Sequence, residues 1–210
     1  RQFYKAVDTK DALHLHGSVF AKKIETVLEL LNSIEFHQAV LFSNNKSQAD
    51  EVVEVLDDNG WPSVCISGGQ DQKSRLEAIQ ALRTFRVRVL VSTDLSSRGV
   101  DVERITLVIN VDLPKNPNVY LHRVGRTGRF GTKGLAITVV AKGKEVEKLK
   151  RMREMFSTTI EPLPEDRTGI SASVLEEVGF DEDDQHQFAL LETKRHDAIK
   201  EAQQTESKTK

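Results

Sequence analysis

The chain has 210 residues, which is enough for one full-sized domain and a tail. Apolar residues make up 38% of it, and no apolar run is long enough to cross a membrane. The single cysteine, Cys65, excludes a disulfide framework and a cysteine-based zinc site. The net charge of −2 conceals an asymmetry, because segment 165–210 has 12 acidic and 6 basic residues, a net −6, which leaves +4 for segment 1–164.

Short strand-like segments and amphipathic segments alternate along the chain. Six segments bounded by polar or turn residues predict strands, at 3–8, 38–42, 63–66, 88–91, 107–110 and 135–140. Apolar residues at helical spacing predict helices at 22–31, 46–58, 72–85, 119–123 and 143–156. In the third helix, Leu76, Ile79 and Leu82 are expected to face the core.

Most of the strand segments are continuous apolar runs, which is typical of a parallel sheet with helices on both faces. We therefore expect an α/β fold, in which polar residues just after the strands form the ligand crevice. Those residues are Ser43, Asn44, Ser67, Gly68, Thr93, Asp94 and Asp112. Gln72 and Arg75 lie nearby at a helix start. Together these groups suit a phosphate backbone, although each alone also fits an ordinary cap or turn.

Segment 120–131 contains arginines at every third position, Arg123, Arg126 and Arg129, with glycines between them. An arginine guanidinium binds phosphate oxygens two at a time, and glycine allows close approach of the backbone. The spacing predicts a site for a polyphosphate. The alternative is an Arg/Gly-rich surface loop.

The amino-acid composition becomes polar and acidic after Pro162 and Pro164, which we expect to end the domain. An acidic cluster lies at 181–184, and 185–203 could form a helix. The chain is thus interpreted as a domain at 1–164 and an acidic tail at 165–210, a linker plus one possible helix.

Four segments resemble motifs of one known family, the DEAD-box RNA helicases. Residues 122–129, His-Arg-Val-Gly-Arg-Thr-Gly-Arg, are similar to the sixth helicase motif, and 92–101 to the fifth. Residues 40–44 resemble the fourth motif, and Gln72 and Arg75 the Gln-x-x-Arg element. The motifs follow in the family's order. The resemblance implies that 1–164 is the second, C-terminal RecA-like domain, a three-layer α/β fold with a mostly parallel sheet.

The resemblance also implies roles for residues at the nucleotide. Arg126 and Arg129 match arginine fingers that reach the γ-phosphate of ATP across an interdomain cleft, and His122 matches a residue that links the nucleotide and RNA sides. Gly99 and Asp101 match the ribose-binding edge. The expected catalytic residues are therefore Arg126, Arg129 and His122, and the expected nucleotide-binding residues are Gly99, Asp101, Arg126 and Arg129.

Contacts to single-stranded RNA or an RNA duplex are implied for a second set of residues. They are Asn44, Gly68, Gln72, Arg75 and Thr93. At 67–69 the family usually has His-Gly-Asp, whereas this chain has Ser-Gly-Gly. The glycine that lets a phosphate approach is kept, while side-chain roles at 67 and 69 are put in doubt.

The sequence contains no Gly-x-x-x-x-Gly-Lys-Ser/Thr loop and no Asp-Glu-Ala-Asp set. ATP and Mg²⁺ are therefore expected to be bound mainly by a first RecA-like domain in the same full-length chain, and no metal site is expected here. The full-length protein is expected to be an ATP-dependent RNA helicase, and this fragment alone to be inactive.

Within the family, segments 42–44, 65–68 and 91–99 look most like a gemin, the DEAD-box member of the survival-motor-neuron complex. That likeness implies a role in small nuclear ribonucleoprotein assembly, survival-motor-neuron and gemin partners, and a cytoplasmic and nuclear location. The alternative is a non-catalytic RecA-like module that docks partners through the acidic tail. A dinucleotide-binding enzyme would need Gly-x-Gly-x-x-Gly directly after a strand, and no glycines are placed so.

Overall fold

The computed structural model describes residues 1–9, 18–94, 104–128, 133–156, 158–165, 189–190 and 193. The strands in them are β1 Gln2–Val7, β2 Gln38–Ser43, β3 Ser63–Ile66, β4 Val89–Thr93, β5 Ile105–Asn110, β6 Leu135–Ala141 and β7 Glu161–Pro162. The helices are α1 Val19–Ser33, α2 Lys46–Asp58, α3 Gln72–Arg83, α4 Pro117–Val124 and α5 Lys144–Phe156. All six predicted strands and all five predicted helices form, each within a few residues of the expected bounds.

The strands make one parallel sheet in the order β3-β4-β2-β5-β6-β1-β7. Helices α1 and α2 pack with one face of the sheet, through residues such as Leu30 and Leu56. Helices α3, α4 and α5 contribute to the cores that use the alternate strand residues, through Leu82, Tyr120 and Leu149. Because helices cover the central strands on both faces, the expected three-layer α/β fold is confirmed.

Two expectations about local structure were wrong. Leu76 is 56% exposed, and Ala78, Ile79 and Leu82 form the buried face of α3. The strand at 135–140 is also not the last one, because β7 pairs with β1 at the sheet edge. Strand β7 has two residues and includes Pro162, which cannot donate to a ladder, so its sequence gave no strand pattern.

Side-chain caps fix where the helices begin. The N-caps of α1, α2, α3 and α4 each accept a hydrogen bond from a backbone N–H in the first turn, and they are Ser18, Asn45, Asp71 and Asn116. Pro117 occupies the first turn of α4, where its missing N–H costs nothing. These caps set the starts of α2, α3 and α4 at the same end of the sheet as the strand termini.

Arg88 is a buried arginine at the amino end of the sheet, directly before β4. Its Nε donates to the carbonyl of His37 at 3.1 Å and its Nη2 to the carbonyl of Phe36. The guanidinium lies 4.6 Å from the centre of the Phe36 ring and 5.6 Å from that of Trp61. We call residues 36–38, 61 and 88 the amino-edge cluster.

The acidic tail expected at 165–210 falls almost wholly outside the described residues, so that boundary stays a prediction.

Candidate RNA and nucleotide interface

The carboxyl ends of four neighbouring strands meet at one edge of the sheet. Ser43 of β2 is in register with Thr93 of β4, and Phe42 with Asn110 of β5. Strand β3 ends beside them at Ile66. We call residues 43–44, 67–68, 93–94 and 110–112 the carboxyl edge. The parallel sheet therefore brings together the post-strand residues that the sequence singled out.

Arg123, on α4, joins three of these strand ends. Its side chain is 1% exposed and is the largest among the fully buried side chains of the described residues. Nε and Nη2 donate to the two carboxylate oxygens of Asp94, the latter at 2.8 Å. Nη2 also donates to Asn44 Oδ1 at 2.7 Å, and Nη1 donates to the carbonyl of Asp112 at 2.9 Å. One guanidinium thus ties together the ends of β2, β4 and β5.

The carboxylate of Asp112 holds the end of β2 in place. Its Oδ2 accepts from Ser43 Oγ at 2.9 Å and from the backbone N–H of Asn44 at 3.0 Å. The Asn44 side chain in turn donates from Nδ2 to the carbonyl of Leu113 at 3.1 Å. Asn44, expected to contact RNA, therefore has both side-chain polar atoms in internal hydrogen bonds, and its predicted RNA contact stays a prediction.

Gly68 and Thr93, two of the predicted RNA-binding residues, are adjacent. The N–H of Gly68 donates to Thr93 Oγ1 at 3.3 Å. A Cβ built on Gly68 would have no heavy atom within 4 Å, so the backbone here faces open space. The next residue, Gly69, has φ +83°, which favours glycine and turns the chain sharply into α3. A phosphate can approach this turn without meeting a side chain from Gly68.

Gln72 and Arg75 lie in the first turn of α3, directly after this glycine turn. Gln72 is exposed and Arg75 is half-buried. Asp71 caps the helix by accepting from Ser74 Oγ at 2.6 Å and from the Ser74 N–H at 2.9 Å, and these hydrogen bonds, the hydroxyl's foremost, lower the pKa of the Asp71 carboxyl. The helix start is thus fixed locally, and it presents both predicted RNA-binding side chains beside the carboxyl edge.

His122 lies in the last turn of α4, and Arg126 follows two residues after the helix ends. Both side chains are more exposed than that of Arg123. His122 is exposed and Arg126 is half-buried. Arg126 donates from its backbone N–H to the Arg123 carbonyl at 3.1 Å and from Nε to the His122 carbonyl at 3.2 Å. The Nε contact fixes the Arg126 guanidinium against the end of α4, and a guanidinium is a group that phosphate oxygens can bind.

Two residues that the sequence did not single out hold this arginine segment against the sheet. Thr127 Oγ1 donates to the carbonyl of Ile105, at the start of β5, at 2.7 Å. A Cβ on Gly134 would lie 2.2 Å from Thr127 Oγ1 and 2.5 Å from the Gly128 nitrogen. Only glycine leaves room for that approach. The signal in the sequence is limited to a glycine just before an apolar run.

Three predicted site residues lie outside the described residues: Gly99, Asp101 and Arg129. Of the predicted nucleotide-binding residues the structure therefore describes Arg126, and of the predicted catalytic residues it describes Arg126 and His122. Behind them, Tyr120 OH donates to Gln2 Oε1 at 2.8 Å and anchors α4 to β1. Burial raises the pKa of the Tyr120 phenol, so that anchor stays protonated over the physiological range.

The end of α4 carries a guanidinium, on Arg126, and an imidazole, on His122, with Arg123 fixing the helix beside them. Over the ranges described, the structure shows no group of three or more His, Cys, Asp or Glu residues that could hold a metal ion. Within those ranges there is also no helix long and apolar enough to span a membrane.

Comparison with known proteins gives the class. Residues 22–131 match the family described as the helicase conserved C-terminal domain. The chain therefore belongs to that family, which agrees with its parallel three-layer fold and with the arginine segment after α4.

Two curated relatives carry the comparison further. Over 165 residues the chain is 39% identical to the Mus musculus protein named "Probable ATP-dependent RNA helicase DDX20", covering 79% of this chain and 20% of the relative. It is 46% identical over 140 residues to the Dictyostelium discoideum protein of the same name, covering 67% of this chain and 16% of the relative. The chain thus spans about a fifth of the length of these relatives.

Among solved structures, Dbp5 of S. cerevisiae bound to RNA and ADP BeF3 superposes with a TM-score of 0.71 and 26% identity. The match covers 83% of this chain and 44% of Dbp5. Together these similarities place the chain as a second, C-terminal RecA-like domain of the DEAD-box RNA helicase type, related to the DDX20 proteins.

Proposed function

We propose that this domain supplies arginine fingers and RNA-backbone contacts to an ATP-dependent RNA helicase whose first RecA-like domain provides the main nucleotide site. The observation that carries the proposal is the position of Arg126 at the end of α4, with its Nε held by the His122 carbonyl and its helix fixed from behind by Arg123. A curated relative at 41% identity bears the name ATP-dependent RNA helicase uap56, and the Dbp5 structure contains RNA and ADP BeF3.

In this proposal each residue has a definite task. ATP, bound with Mg²⁺ mainly by the first domain, supplies the phosphoryl bond that is cleaved. Arg126 and Arg129 reach across the cleft and stabilise negative charge that develops on the γ-phosphoryl oxygens. Gly99 and Asp101 bind the nucleotide at its ribose edge. His122 lies between the nucleotide and RNA sides. The isolated domain, which lacks a phosphate-binding loop in its sequence, is expected to be inactive.

RNA is proposed to bind across the carboxyl edge. The backbone at Gly68, the Thr93 hydroxyl and the side chains of Gln72, Arg75 and Asn44 would contact backbone phosphates. Such contacts position a strand and carry no sequence information, so the domain would accept single-stranded RNA or the strand of an opening duplex.

The test is RNA-stimulated ATP hydrolysis by the full-length helicase that carries this domain. Arg126→Ala is expected to lower the turnover number by about a thousandfold, because an arginine finger contributes that much to phosphoryl transfer. Arg126→Lys keeps the positive charge but loses the planar guanidinium that binds two phosphate oxygens, so it should restore little of the turnover. The matched control is Arg151→Ala, which removes an exposed arginine from α5. Turnover by Arg126→Ala within a few-fold of wild type would contradict the finger role.

We further propose that the full-length protein acts in small nuclear ribonucleoprotein assembly, with survival-motor-neuron and gemin proteins as partners, in the cytoplasm and nucleus. The support is the similarity to the DDX20 relatives. Affinity purification of the tagged full-length protein should recover those partners, with and without residues 165–210 as the comparison. Recovery of neither survival-motor-neuron nor gemin proteins would contradict this part of the proposal.

A further inference from the structure

We propose that segment 170–184 docks onto its own domain, in an apolar groove between α5 and the edge of the sheet. The acidic end of the segment would lie against the cations of α5. None of the residues that carry this inference belongs to the proposed RNA or nucleotide sites, so it stands or falls independently of the function proposed above.

An open groove of about 140 Å³ lies where α5 meets the edge of the sheet. Its apolar lining consists of Tyr4, Val146, Leu149, Ile160 and Pro162. Leu149 and Ile160 are buried in one core cluster, and Tyr4 and Val146 pack against it. A volume of that size holds one branched aliphatic side chain or one aromatic ring. We call this site the α5 groove, and it can take an apolar side chain from a segment that crosses it.

The chain leaves the domain directly beside the α5 groove. Pro162 lines the groove, and the N–H of the next residue, Leu163, donates to the carbonyl of Tyr4 at 2.9 Å. Four residues then separate Glu165 from Ile170. Four residues span about 14 Å when fully extended, so a segment that begins at 170 starts close to the groove. A tether this short gives an effective concentration in the millimolar range, which favours docking within one chain over capture of a separate one.

Segment 170–184 has apolar residues at the spacing that such docking needs. Ile170, Val174 and Val178 recur at every fourth position, which predicts one apolar stripe along a helix. The segment lies outside the described residues, so the stripe is a feature of the sequence, whereas the groove is a feature of the structure. Because an isolated helix this short is marginal in water, the stripe needs an apolar surface to pack against.

The charges of the groove and of the segment are opposite. Helix α5 carries five lysines and arginines against three glutamates, and the exposed Lys150 and Arg153 line the groove itself. One of the three glutamates, Glu145, already pairs with Lys23 of α1 at 2.8 Å. Segment 170–184 contains six acidic residues and no basic one. The charges therefore favour this acidic segment, rather than a basic one, as the occupant of the groove.

The experiment measures whether the tail of the full-length helicase occupies the groove, in the absence of RNA and nucleotide. A fluorescein-labelled peptide of residues 168–185 is titrated with the protein, and fluorescence anisotropy reports binding. Val174→Asp/Val178→Asp in the protein, the tail variant, disrupts the apolar stripe and leaves the domain untouched. We expect the tail variant to bind the peptide about tenfold more tightly than wild type, because the wild-type tail competes at millimolar effective concentration.

Two charge reversals on α5 test where the peptide binds. Both are made in the tail variant, and both positions are exposed, so the domain should fold. Arg153→Glu reverses a cation that lines the groove, and it should weaken peptide binding about fivefold. The matched control is Lys148→Glu, which makes the same kind of change in the same helix at a residue that does not line the groove. It should leave the affinity unchanged.

Segment 170–184 is not the occupant if wild type and the tail variant bind the peptide with equal affinity. The α5 groove is not the site if the tail variant binds no peptide, or if Arg153→Glu and Lys148→Glu weaken binding equally. Docking within one chain is wrong if sedimentation shows a wild-type dimer that the tail variant dissociates, because the segment then lies in the groove of a second copy.

Discussion

Each end of the parallel sheet buries an arginine, and the two arginines are used differently. At the carboxyl edge, Arg123 binds the carboxylate of Asp94 and polar groups from two further strand ends. In the amino-edge cluster, Arg88 donates to the carbonyls of Phe36 and His37 and lies over aromatic rings. The partners of Arg123 lie next to residues that we propose bind RNA, such as Thr93, whereas the rings of Phe36 and Trp61 beside Arg88 belong to the hydrophobic core. A buried arginine thus indicates a function only when the residues that it binds are next to a candidate ligand site.

The largest expected effect belongs to the amino edge and concerns stability alone. Arg88→Met leaves two buried carbonyls without their donor and removes a cation from the Phe36 and Trp61 rings. We expect a loss of about 3 kcal/mol in the free energy of unfolding. Urea denaturation measures that loss. RNA-stimulated ATP hydrolysis by the full-length helicase should be unchanged below the melting temperature, and a variant that lost it would show that the two edges are not separate.

The next largest effect is expected where Gly134 packs closely against Thr127, within the arginine segment 120–131. Gly134→Ala would place a Cβ 2.2 Å from Thr127 Oγ1, which must move together with the chain that carries Arg126. We expect turnover of the full-length helicase to fall by between about tenfold and a hundredfold, because a displacement of about 1 Å is enough for that.

Gly68→Ala provides the comparison for Gly134→Ala. Its Cβ would meet nothing within 4 Å, so the domain should fold with wild-type stability. RNA affinity should nevertheless fall, because the methyl group occupies the space where a phosphate is proposed to approach. If Gly68→Ala binds RNA like wild type, Gly68 is removed from the RNA site.

Most of the fold could be predicted from the sequence because each element carries a local signal. The apolar runs of β2, β4, β5 and β6 are buried on both faces, so their positions are apolar or small except for Gln38 and Asn110. Strand β7 could not be predicted, since Glu161 and Pro162 have no strand pattern of their own. Leu76 was placed inward from helical spacing, but Ala78 and Ile79 turn the buried face of α3 away from it.

The residues of the candidate site could be predicted from the sequence, but the contacts between them could not. The arginines and the post-strand polar residues could be found in the sequence. The strand order places β2 between β4 and β5, which is not the order along the chain, so the pairing of Arg123 with Asp94 could not be inferred. The close packing of Gly134 on Thr127 likewise depends on tertiary structure. The resemblance assigned roles to single residues, and the geometry supplies the links among them.

A smaller effect concerns Cys65, on β3 between the two edges. Burial, with the Asp50 carboxylate nearby, raises the pKa of the Cys65 thiol to about 11. The thiolate is therefore scarce at neutral pH, and we expect alkylation by iodoacetamide to be about tenfold slower than for an exposed cysteine. The rate should rise as pH increases towards 11. An alkylation rate that levels off near pH 8 would contradict this assignment.

The smallest expected effect compares the two ends of α3. Arg75→Ala removes one proposed phosphate contact at the carboxyl edge, and the slope of log affinity against log salt should decrease by about 0.7. Arg83→Ala, an exposed arginine in the last turn of the same helix, is the control and should leave the slope unchanged. Equal slopes for the two variants would mean that RNA does not distinguish the two ends of the helix.

The most direct test of the account is a crystal structure of the full-length helicase with single-stranded RNA and ADP-beryllium fluoride. The account predicts an Arg126 nitrogen at hydrogen-bond distance, about 3 Å, from the beryllium fluoride, and an RNA phosphate at the Gly68 and Thr93 turn. It also predicts that Arg123 keeps both contacts to Asp94. An Arg126 guanidinium turned away from the nucleotide in the closed complex would contradict the central claim.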